Sequence, residues 1–583
     1  MMRLYQNIPL LLELVLNGLF IIVYSFYSSA NIETSWISSV VVETILEVFA
    51  GMAPFVVLIS VLSFYIKSNT IEEFIRKYIF SLICVVPMFF TWGDIQFTFW
   101  LAAVHLFSSV LSVYETPHIY TAKEEKEDSP ESTISLGVLE KIKLAPAQIV
   151  ILSFSAIIGI GTLFLLLPIS AAPGKNIGLV DAFFTATSAT CVTGLTTLSI
   201  SDNFSFIGQV FILILIQIGG LGYMTLYSSM TILLGKSLAV RDQVLMQDLL
   251  DISSLEDLIQ MIVNIIKYTL VIELIGAGIL TFAFNSEGYE FGEALYYGIF
   301  HSVSAFCNAG FALFNNSLES FQLSPMIHGT VALLIFLGGL GFIVIKELEY
   351  VLFKGGKLIN LSVHSKIVLT TSLSLVFMVA IYIFFSEFLH SLNDLNAWEK
   401  VQVSVFQSIT TRTAGFNTLS LSALHPHTIY LFTLIMFIGA SPGSTGGGIK
   451  TTTFAILFQS VKATLKGRDK VEFFDRKVPN IIVVRAVAII VISLIIASFF
   501  ILLMMRLEPE MEFLKIFFEV VSAFATVGLS LGITPLLSSG GKLALVFVMF
   551  IGRVGPLTLA LALGQKNKDK GNVDYPEGRI MIG

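Results

Sequence analysis

The sequence predicts an all-α polytopic membrane protein, in which four pseudo-symmetric repeats follow about four additional transmembrane helices. Three observations lead to this fold class: the composition, a series of long apolar runs, and a short semi-polar segment that recurs four times. Of the 583 residues, 55% are hydrophobic and 13% are charged, whereas about 25% of the residues of a soluble domain are charged. The composition excludes a soluble globular protein, and we expect no nucleic-acid partner.

The apolar runs that are long enough to span a bilayer, about 20 residues each, fall into two groups. The first group precedes residue 115 and comprises runs near 8–28, 38–66, 74–92 and 95–114. A charged segment, Thr121 to Lys143, follows it and is typical of a solvated linker. The second group comprises eight runs, near 148–170, 207–234, 258–284, 326–352, 367–389, 426–463, 480–505 and 542–564. Twelve spans are therefore predicted.

Four semi-polar stretches, rich in Ser, Thr, Ala, Gly and Phe, lie between spans of the second group. They cover 183–197, 299–313, 405–419 and 517–531, and their marker glycines are Gly194, Gly310, Gly415 and Gly528. A serine precedes the marker by six residues in three of the four stretches. A glycine cluster follows the markers after 25, 28, 24 and 24 residues. Two landmarks at nearly constant offset indicate an internal repeat of span, half-length pore helix and span (M1-P-M2).

The predicted organisation combines these repeats with the positive-inside rule. Lysine and arginine concentrate in loops 235–257, 346–366 and 462–479 and in the C-terminal tail, which places these segments and both termini in the cytoplasm. The predicted segments are N-terminal transmembrane helices 1–120, a charged cytoplasmic linker 121–144, repeat 1 at 145–240, repeat 2 at 241–360, repeat 3 at 361–470, repeat 4 at 471–565 and a cytoplasmic tail 566–583.

The marker glycines end triplets that are suited to binding a cation. A short helix presents the partial negative charge of its C-terminus, and an extended turn offers carbonyl oxygens that replace the water of the ion. Close packing of small residues between helices is the alternative, but four aligned segments favour a selectivity filter around a central pore. The predicted filter residues are Val192, Thr193, Gly194, Asn308, Ala309, Gly310, Thr413, Ala414, Gly415, Thr526, Val527 and Gly528.

A fifth glycine-rich stretch, GASPGSTGGGIKTTT from Gly439 to Thr453, looks like a phosphate-binding loop. The P-loop pattern requires a lysine directly after the last glycine, and Ile449 separates Gly448 from Lys450 here. The stretch also follows an uncharged apolar run rather than a strand of a soluble domain. We therefore expect no nucleotide at this loop.

Five segments resemble the Trk/Ktr/HKT superfamily of potassium transporters: SAFCNAGF, TTRTAGFNT, SPGSTGGGIKTTT, SAFATVGLS and IGRVGPLTL. The resemblance covers residues 148–565, and the four N-terminal spans are a departure from it. It implies potassium uptake across the cytoplasmic membrane by a multi-pass protein. It also implies that residues 439–448 form an intramembrane gate loop below the filter, at a break in the second span of repeat 3. The gating residues are then Gly439, Ser441, Pro442, Gly443, Gly446, Gly447, Gly448 and Arg553.

Arg553 replaces the small residues found at its position in the other repeats, and a membrane-buried arginine is by default a functional candidate. The resemblance implies that it projects into the pore, repels cations and holds the gate loop through carbonyl groups. A kinked span without a moving part, and a structural ion pair of Arg553, are the alternatives. Arg412 and Glu519 are interpreted as scaffold, and one option is that they pair behind the filter.

The resemblance further implies a homodimer that binds cytoplasmic, nucleotide-binding regulatory subunits of the RCK type. ATP, ADP or NAD would act on that partner, and no cofactor is expected on this chain apart from the transported K⁺ and membrane lipid. Glycine at all four marker positions favours potassium, while sodium, weak selectivity and Na⁺ or H⁺ coupling remain open. A polytopic membrane enzyme is the alternative from another class, and no clustered His, Asp or Cys set in the sequence supports it.

Overall fold

The computed structural model describes residues 146–233, 255–468, 470–556 and 558, together with short helical stretches between residues 16 and 102. The predicted linker and tail, the loop 235–254 and most of the four N-terminal spans lie outside the described residues. The chain divides into two compact units, Met1–Ile142 with Leu167–Asn176, and Lys143–Leu166 with Ile177–Gly583. The α-helices of the four repeats belong to the second unit.

A helix or a helix pair lies at each of the eight apolar runs of the second group. The first spans of the four repeats are α1 (Pro146–Leu166), α5 (Leu255–Ser286), α9 (Val363–Ser386) and α13 (Asn480–Leu507). The second spans are α4 (Phe206–Leu233), α7 with α8 (Pro325–Leu340 and Phe342–Phe353), α11 with α12 (Pro426–Met436 and Thr451–Leu465) and α15 (Ser539–Val554).

A short helix follows the first span in every repeat. These helices are α2 (Leu179–Thr190), α6 (Phe291–Phe306), α10 (Ala397–Thr410) and α14 (Phe513–Phe524). At 12 to 16 residues they are roughly 18–24 Å long, which is less than the hydrocarbon core of about 30 Å. The remaining elements are α3 (Ile200–Asn203) and a small hairpin of β1 (Glu472–Phe473) and β2 (Arg476–Lys477).

Three described helices are long and apolar enough to cross a membrane by themselves: Val263–Ser286, Val363–Ser386 and Asn480–Leu507. The pair α7 and α8 would be a fourth if it is counted as one span. Side chains such as Leu274 and Phe377 on these helices are 71% exposed, as expected for surfaces that face lipid.

Buried apolar side chains join neighbouring repeats in three large clusters. One cluster contains residues of repeats 2 and 3, such as Phe306 and Phe416. The next joins repeats 3 and 4, with Phe432 against Phe518. The third joins repeat 4 to repeat 1 and includes Phe184. The Lys542 ammonium group also lies 2.8 Å from the Asp181 carboxylate across this last boundary. Leu221 of repeat 1 packs against the first cluster, so packing closes the four repeats into a ring.

Among the described residues, the second span consists of two separate helices in repeats 2 and 3, whereas the sequence predicted a break in repeat 3 alone. Helices α7 and α8 meet at Gly341 with a bend of 109°. Gly341 has a φ of +95°, and a Cβ atom there would lie 2.5 Å from the Pro442 carbonyl oxygen. The Phe342 N–H donates to the Gly443 carbonyl at 3.0 Å. The missed break is shaped by the loop of repeat 3, which only the tertiary structure brings into contact.

The option of a pair between Arg412 and Glu519 is wrong. The Arg412 guanidinium donates to the hydroxyl group of Ser372 at 3.0 Å, on the first span of its own repeat. The Glu519 carboxylate accepts from the hydroxyl groups of Ser530 and Thr534. Each of the two side chains is hydrogen-bonded within its own repeat, as the interpretation of both residues as scaffold expects.

The Gly341→Ala variant tests whether the bend is imposed by contact with the loop. Alanine at a positive φ that also meets a backbone oxygen should cost about 1–3 kcal/mol, measured as a lower unfolding temperature of the purified protein. Gly278→Ala on α5 is the matched control, because a Cβ atom there meets no atom within 4 Å. Equal unfolding temperatures for the two variants would contradict the assignment of the bend at Gly341 to contact with the loop.

Candidate functional site

The four short helices end in the same way and point their C-termini at one place. Each helix ends two or three positions before a residue with left-handed backbone. The φ values are 56° at Val192, 58° at Asn308, 65° at Thr413 and 51° at Thr526. Positive φ is a genuine outlier for the β-branched residues among these. Such strain persists only where the surrounding structure fixes it, so the turns are held by their neighbours.

The four marker glycines form a closed ring. Their φ values are 93°, 71°, 79° and 90° in chain order. A Cβ atom on any of them would collide with the carbonyl oxygen before the marker glycine of the next repeat. The colliding pairs are Gly194 with Ala309, Gly310 with Ala414, Gly415 with Val527 and Gly528 with Thr193. The four loops therefore surround one axis in chain order, and only glycine permits this approach of the backbones.

Hydroxyl groups behind the ring explain the serine that precedes the markers by six residues. Ser188 and Ser522 accept from the N–H groups of Gly194 and Gly528, both at 3.1 Å. In repeats 2 and 3 the hydroxyl groups donate instead: Ser304 bonds to the Phe311 carbonyl at 2.7 Å and Thr410 to the Phe416 carbonyl at 2.5 Å. The hydroxyl groups fix the backbone directions of the turns, since a buried donor or acceptor must find a partner.

A cavity of about 360 Å³ opens on one side of the ring, and all four marker glycines line it. Most of its other lining residues are small, apolar or neutral polar, such as Asn315 and Ser422. Glu319 is the one acidic residue among the described residues of this lining. Burial raises the pKa of Glu319, although the Asn417 amide donates to its carboxylate. An ion that reaches the ring through this cavity thus passes neutral oxygen atoms and a single carboxyl group.

The predicted gate loop is a compact, non-helical segment between Met436 and Thr451. Its two ends are joined, because the Gly439 N–H donates to the Ile449 carbonyl at 2.8 Å. Its middle is bonded to repeat 2, where Thr445 donates through its hydroxyl group to the carbonyl of Phe306, the last residue of α6. The loop therefore lies against the C-terminal end of a pore helix.

Two glycines of the loop contact the filter turns directly. A Cβ atom on Gly446 would collide with the Thr413 hydroxyl group, and one on Gly447 would collide with that of Thr526. Pro442 and Gly443 lie elsewhere, against the bend at Gly341. The loop thus connects the ring of glycines to the broken second span of repeat 2.

Arg553 ties three repeats together. Its side chain is 7% exposed, and its two terminal nitrogen atoms donate to the carbonyl groups of Thr445 in the loop and Gly219 in repeat 1. Lys450 is also held by the loop, with its ammonium nitrogen 2.8 Å from the Gly446 carbonyl oxygen. Backbone carbonyl groups therefore compensate two positive charges next to the filter.

The structure brings together all twelve predicted filter residues, with the loop and Arg553 beside them. Sequence reasoning missed the residues that hold the loop or its partner Arg553 in place, namely Gly219, Gly338, Gly339, Thr445 and Lys450. The glycines had appeared only as repeat landmarks, and Lys450 only as a failed P-loop lysine. No local pattern shows that their carbonyl or amino groups meet the loop or Arg553.

Comparison with known proteins agrees with this geometry. Residues 144–572 match the family model described as "TrkH: Cation transport protein". The chain belongs to the TrkH family. The Ktr system potassium uptake protein B of Bacillus subtilis is 36% identical over 448 residues, which cover 76% of this chain and 98% of that protein. The potassium/sodium uptake protein NtpJ of Enterococcus hirae is 35% identical over 447 residues, with the same coverage.

A solved structure shares the fold of this TrkH family member. It is the crystal structure of the potassium transporter TrkH from Vibrio parahaemolyticus, with a TM-score of 0.60 and 18% identity. The match covers 90% of this chain and 97% of the other. The predicted all-α polytopic membrane fold is confirmed by this likeness, together with the family match.

Ser188→Ala tests the role of the hydroxyl groups behind the ring. The Gly194 N–H loses its acceptor in a buried site, which should cost about 1–3 kcal/mol and lower the unfolding temperature. Ser155→Ala is the control, since the Ser155 hydroxyl group is exposed and donates to the Ile151 carbonyl of its own helix. A Ser188 variant as stable as the Ser155 variant would rule out this bond as a support of the ring.

Proposed function

We propose that this chain takes up potassium ions across the cytoplasmic membrane through a gated pore at the axis of its four repeats. The observation that carries the proposal is the closed ring of Gly194, Gly310, Gly415 and Gly528, with a carbonyl oxygen of the next repeat beside each glycine. The TrkH family match and the uptake activities named for its relatives support it. A transport function rather than an enzymatic one follows.

The filter binds the ion through backbone oxygen atoms. The twelve residues of the triplets line the axis, and their carbonyl groups take the place of the hydration shell of the ion. The four pore helices add the negative ends of their dipoles. The side-chain hydroxyl groups of Thr193 and Thr526 are buried beside the ring.

The loop at residues 439–448 closes the pore on the inner side of the filter. Arg553 holds the loop through the Thr445 carbonyl and places its positive charge next to the conduction path. A cation must pass this charge or wait until the loop moves. Opening requires the loop to release its bonds to repeats 2 and 4, so the gate has a defined closed position.

The proposed physiological assembly is a homodimer that binds a cytoplasmic ring of RCK-type, nucleotide-binding subunits. The naming of one relative as part of a Ktr system supports the presence of further subunits. ATP, ADP or NAD would bind to these subunits. The exposed, basic loop between α12 and α13, with Lys466, Arg468, Arg476 and Lys477, is a docking surface of suitable charge for them.

Ion flux into liposomes that contain the purified chain tests the proposal. We expect K⁺ uptake under a K⁺ gradient to exceed Na⁺ uptake under an equal Na⁺ gradient. Equal or greater Na⁺ flux would be consistent with the pore but would overturn potassium as the substrate. The name of the relative NtpJ, a potassium/sodium uptake protein, makes this comparison worth testing. Turnover of a lipid or nucleotide substrate without any ion flux would overturn transport itself.

Gly194→Ser tests the contribution of the ring to selectivity. A serine side chain there meets the Ala309 carbonyl oxygen and the Gly310 backbone, so it distorts two adjacent repeats. The ratio of K⁺ to Na⁺ flux should fall strongly, while total flux persists. Gly174→Ala, where a Cβ atom meets nothing within 4 Å and φ is also positive, is the control. An unchanged ratio would favour a sodium or weakly selective transporter.

Arg553→Ala and Arg553→Gln test the gate. A positive unit charge about 8 Å from a passing cation raises the free energy of that cation by roughly 2 kcal/mol at an effective dielectric constant near 20. Removal of the charge should therefore raise K⁺ flux by about tenfold or more. Glutamine keeps a donor for the Thr445 carbonyl but carries no charge. A higher K⁺ flux in Arg553→Ala alone would show that Arg553 acts by holding the loop, and a higher flux in both variants would show that it acts through its charge.

The control for these variants is Arg506→Gln, at the exposed end of α13. It should transport at the rate of the unmodified protein. Wild-type flux in both folded Arg553 variants would refute the assignment of Arg553 to the gate.

A further inference from the structure

Three of the eight histidines of the chain lie together where α9 ends and α11 begins, away from the ring of glycines. The rings of His390 and His425 stack with their centroids 3.8 Å apart, and those of His425 and His427 lie 5.0 Å apart. His390 precedes His425 by 35 positions in the sequence, so the approach of these two rings shows itself only after folding.

A buried carboxylate closes the cluster. Glu387 is fully buried, and its Oε1 atom accepts from the Thr428 hydroxyl group at 2.5 Å and the His425 N–H at 3.1 Å. Its Oε2 atom accepts from the Ser391 hydroxyl group at 2.7 Å and from Nδ1 of His390 at 3.1 Å. The carboxylate is thereby fixed in position against the imidazole rings.

The charge state of this carboxylate suits a cation. The Glu387 carboxylate accepts four hydrogen bonds, from Thr428, Ser391, the His425 N–H and His390, and hydrogen bonds of this kind favour its anionic form. It faces imidazole rings that are neutral ligands whenever they are deprotonated.

We propose that Glu387, His390 and His425 bind one divalent transition-metal ion of the zinc class. One ligand atom from each of these side chains lies within 4.8 Å of the other two. Bonds of about 2.0–2.2 Å in a tetrahedral site separate the ligand atoms by roughly 3.3–3.6 Å. Small rotations of the His390 and His425 side chains, which are both partly exposed, bring the ligand atoms to this spacing. The exposed side leaves room for a water as fourth ligand.

The donor set selects the class of metal. Two imidazole nitrogens and one carboxylate are a known zinc-binding combination, whereas Ca²⁺ and Mg²⁺ prefer sites made of oxygen atoms. The rival interpretation is that Glu387 only anchors the end of α9 through its four hydrogen bonds. That interpretation accounts for Thr428 and Ser391 but gives no role to the His425 ring, for which the described part of the chain shows ring contacts and no hydrogen bond.

A metal ion here would join two spans of repeat 3. Glu387 and His390 follow α9, and His425 is the residue before the first turn of α11. Helix α11 ends at Met436, directly before the loop between Met436 and Thr451. Metal binding therefore clamps the half-span that carries this loop to its neighbour, and we expect it to raise the unfolding temperature of the protein.

The test is Zn²⁺ binding to the purified full chain, without an affinity tag, by competition with a chromophoric chelator. One ion per chain is expected for the unmodified protein. His390→Gln and His425→Gln should each weaken binding by about tenfold or more, since even the indirect partners of a metal contribute that much. The double variant should lose both the binding and the Zn²⁺-dependent rise in unfolding temperature.

His364→Gln is the matched control, because His364 lies at the opposite end of the same helix α9. It should bind Zn²⁺ like the unmodified chain. The proposal is overturned if the unmodified chain binds no Zn²⁺, or if the double variant binds it with unchanged affinity. X-ray absorption of the Zn²⁺-loaded unmodified chain gives a second test that needs no variant: two imidazole ligands are expected, and an oxygen-only shell contradicts the site.

Discussion

The close approach of four glycine backbones around one axis is the constraint on which the rest of the structure depends. No Cβ atom fits at Gly194, Gly310, Gly415 or Gly528, so each loop must leave the helical conformation at membrane depth. Irregular backbone is tolerated there only where protein or a polar cavity satisfies its groups. The hydroxyl groups behind the turns, the left-handed residues that precede the glycines, and the three apolar clusters that join the repeats all serve this one arrangement.

The same need to satisfy backbone hydrogen-bonding groups applies where the second spans of repeats 2 and 3 are broken. Repeat 3 gives up helical hydrogen bonds over the loop between Met436 and Thr451, and repeat 2 gives them up at Gly341. Each break satisfies the other, since the Phe342 N–H donates to the Gly443 carbonyl. The freed carbonyl groups of the loop then hold Arg553 and Lys450. A buried cation that costs several kcal/mol without partners is stabilised by groups that the breaks themselves release.

The filter repeats the same geometry four times, but the loop and its partners do not. Among the described residues, only repeat 3 has an extended break between two half-spans, and it also gathers Glu387, His390 and His425 at the start of its second span. In the sequence, only repeat 4 carries an arginine at the position of Arg553. A symmetric ring suits an ion that meets equal oxygen atoms on all sides. The proposed gate and the proposed metal site each need one defined partner, and the departures from symmetry supply it.

The sequence by itself determined the membrane class, and it predicted the repeat register and the glycine triplets, because hydropathy and glycine spacing are properties of short segments. Family resemblance added the loop and Arg553. Tertiary structure alone decided which carbonyl groups Arg553 meets, one of them 334 positions away. It also decided the bend at Gly341, the separate partners of Arg412 and Glu519, and the histidine cluster. Each of these depends on contacts between distant segments, whose geometry follows from how the helices pack and leaves no periodic trace in the chain.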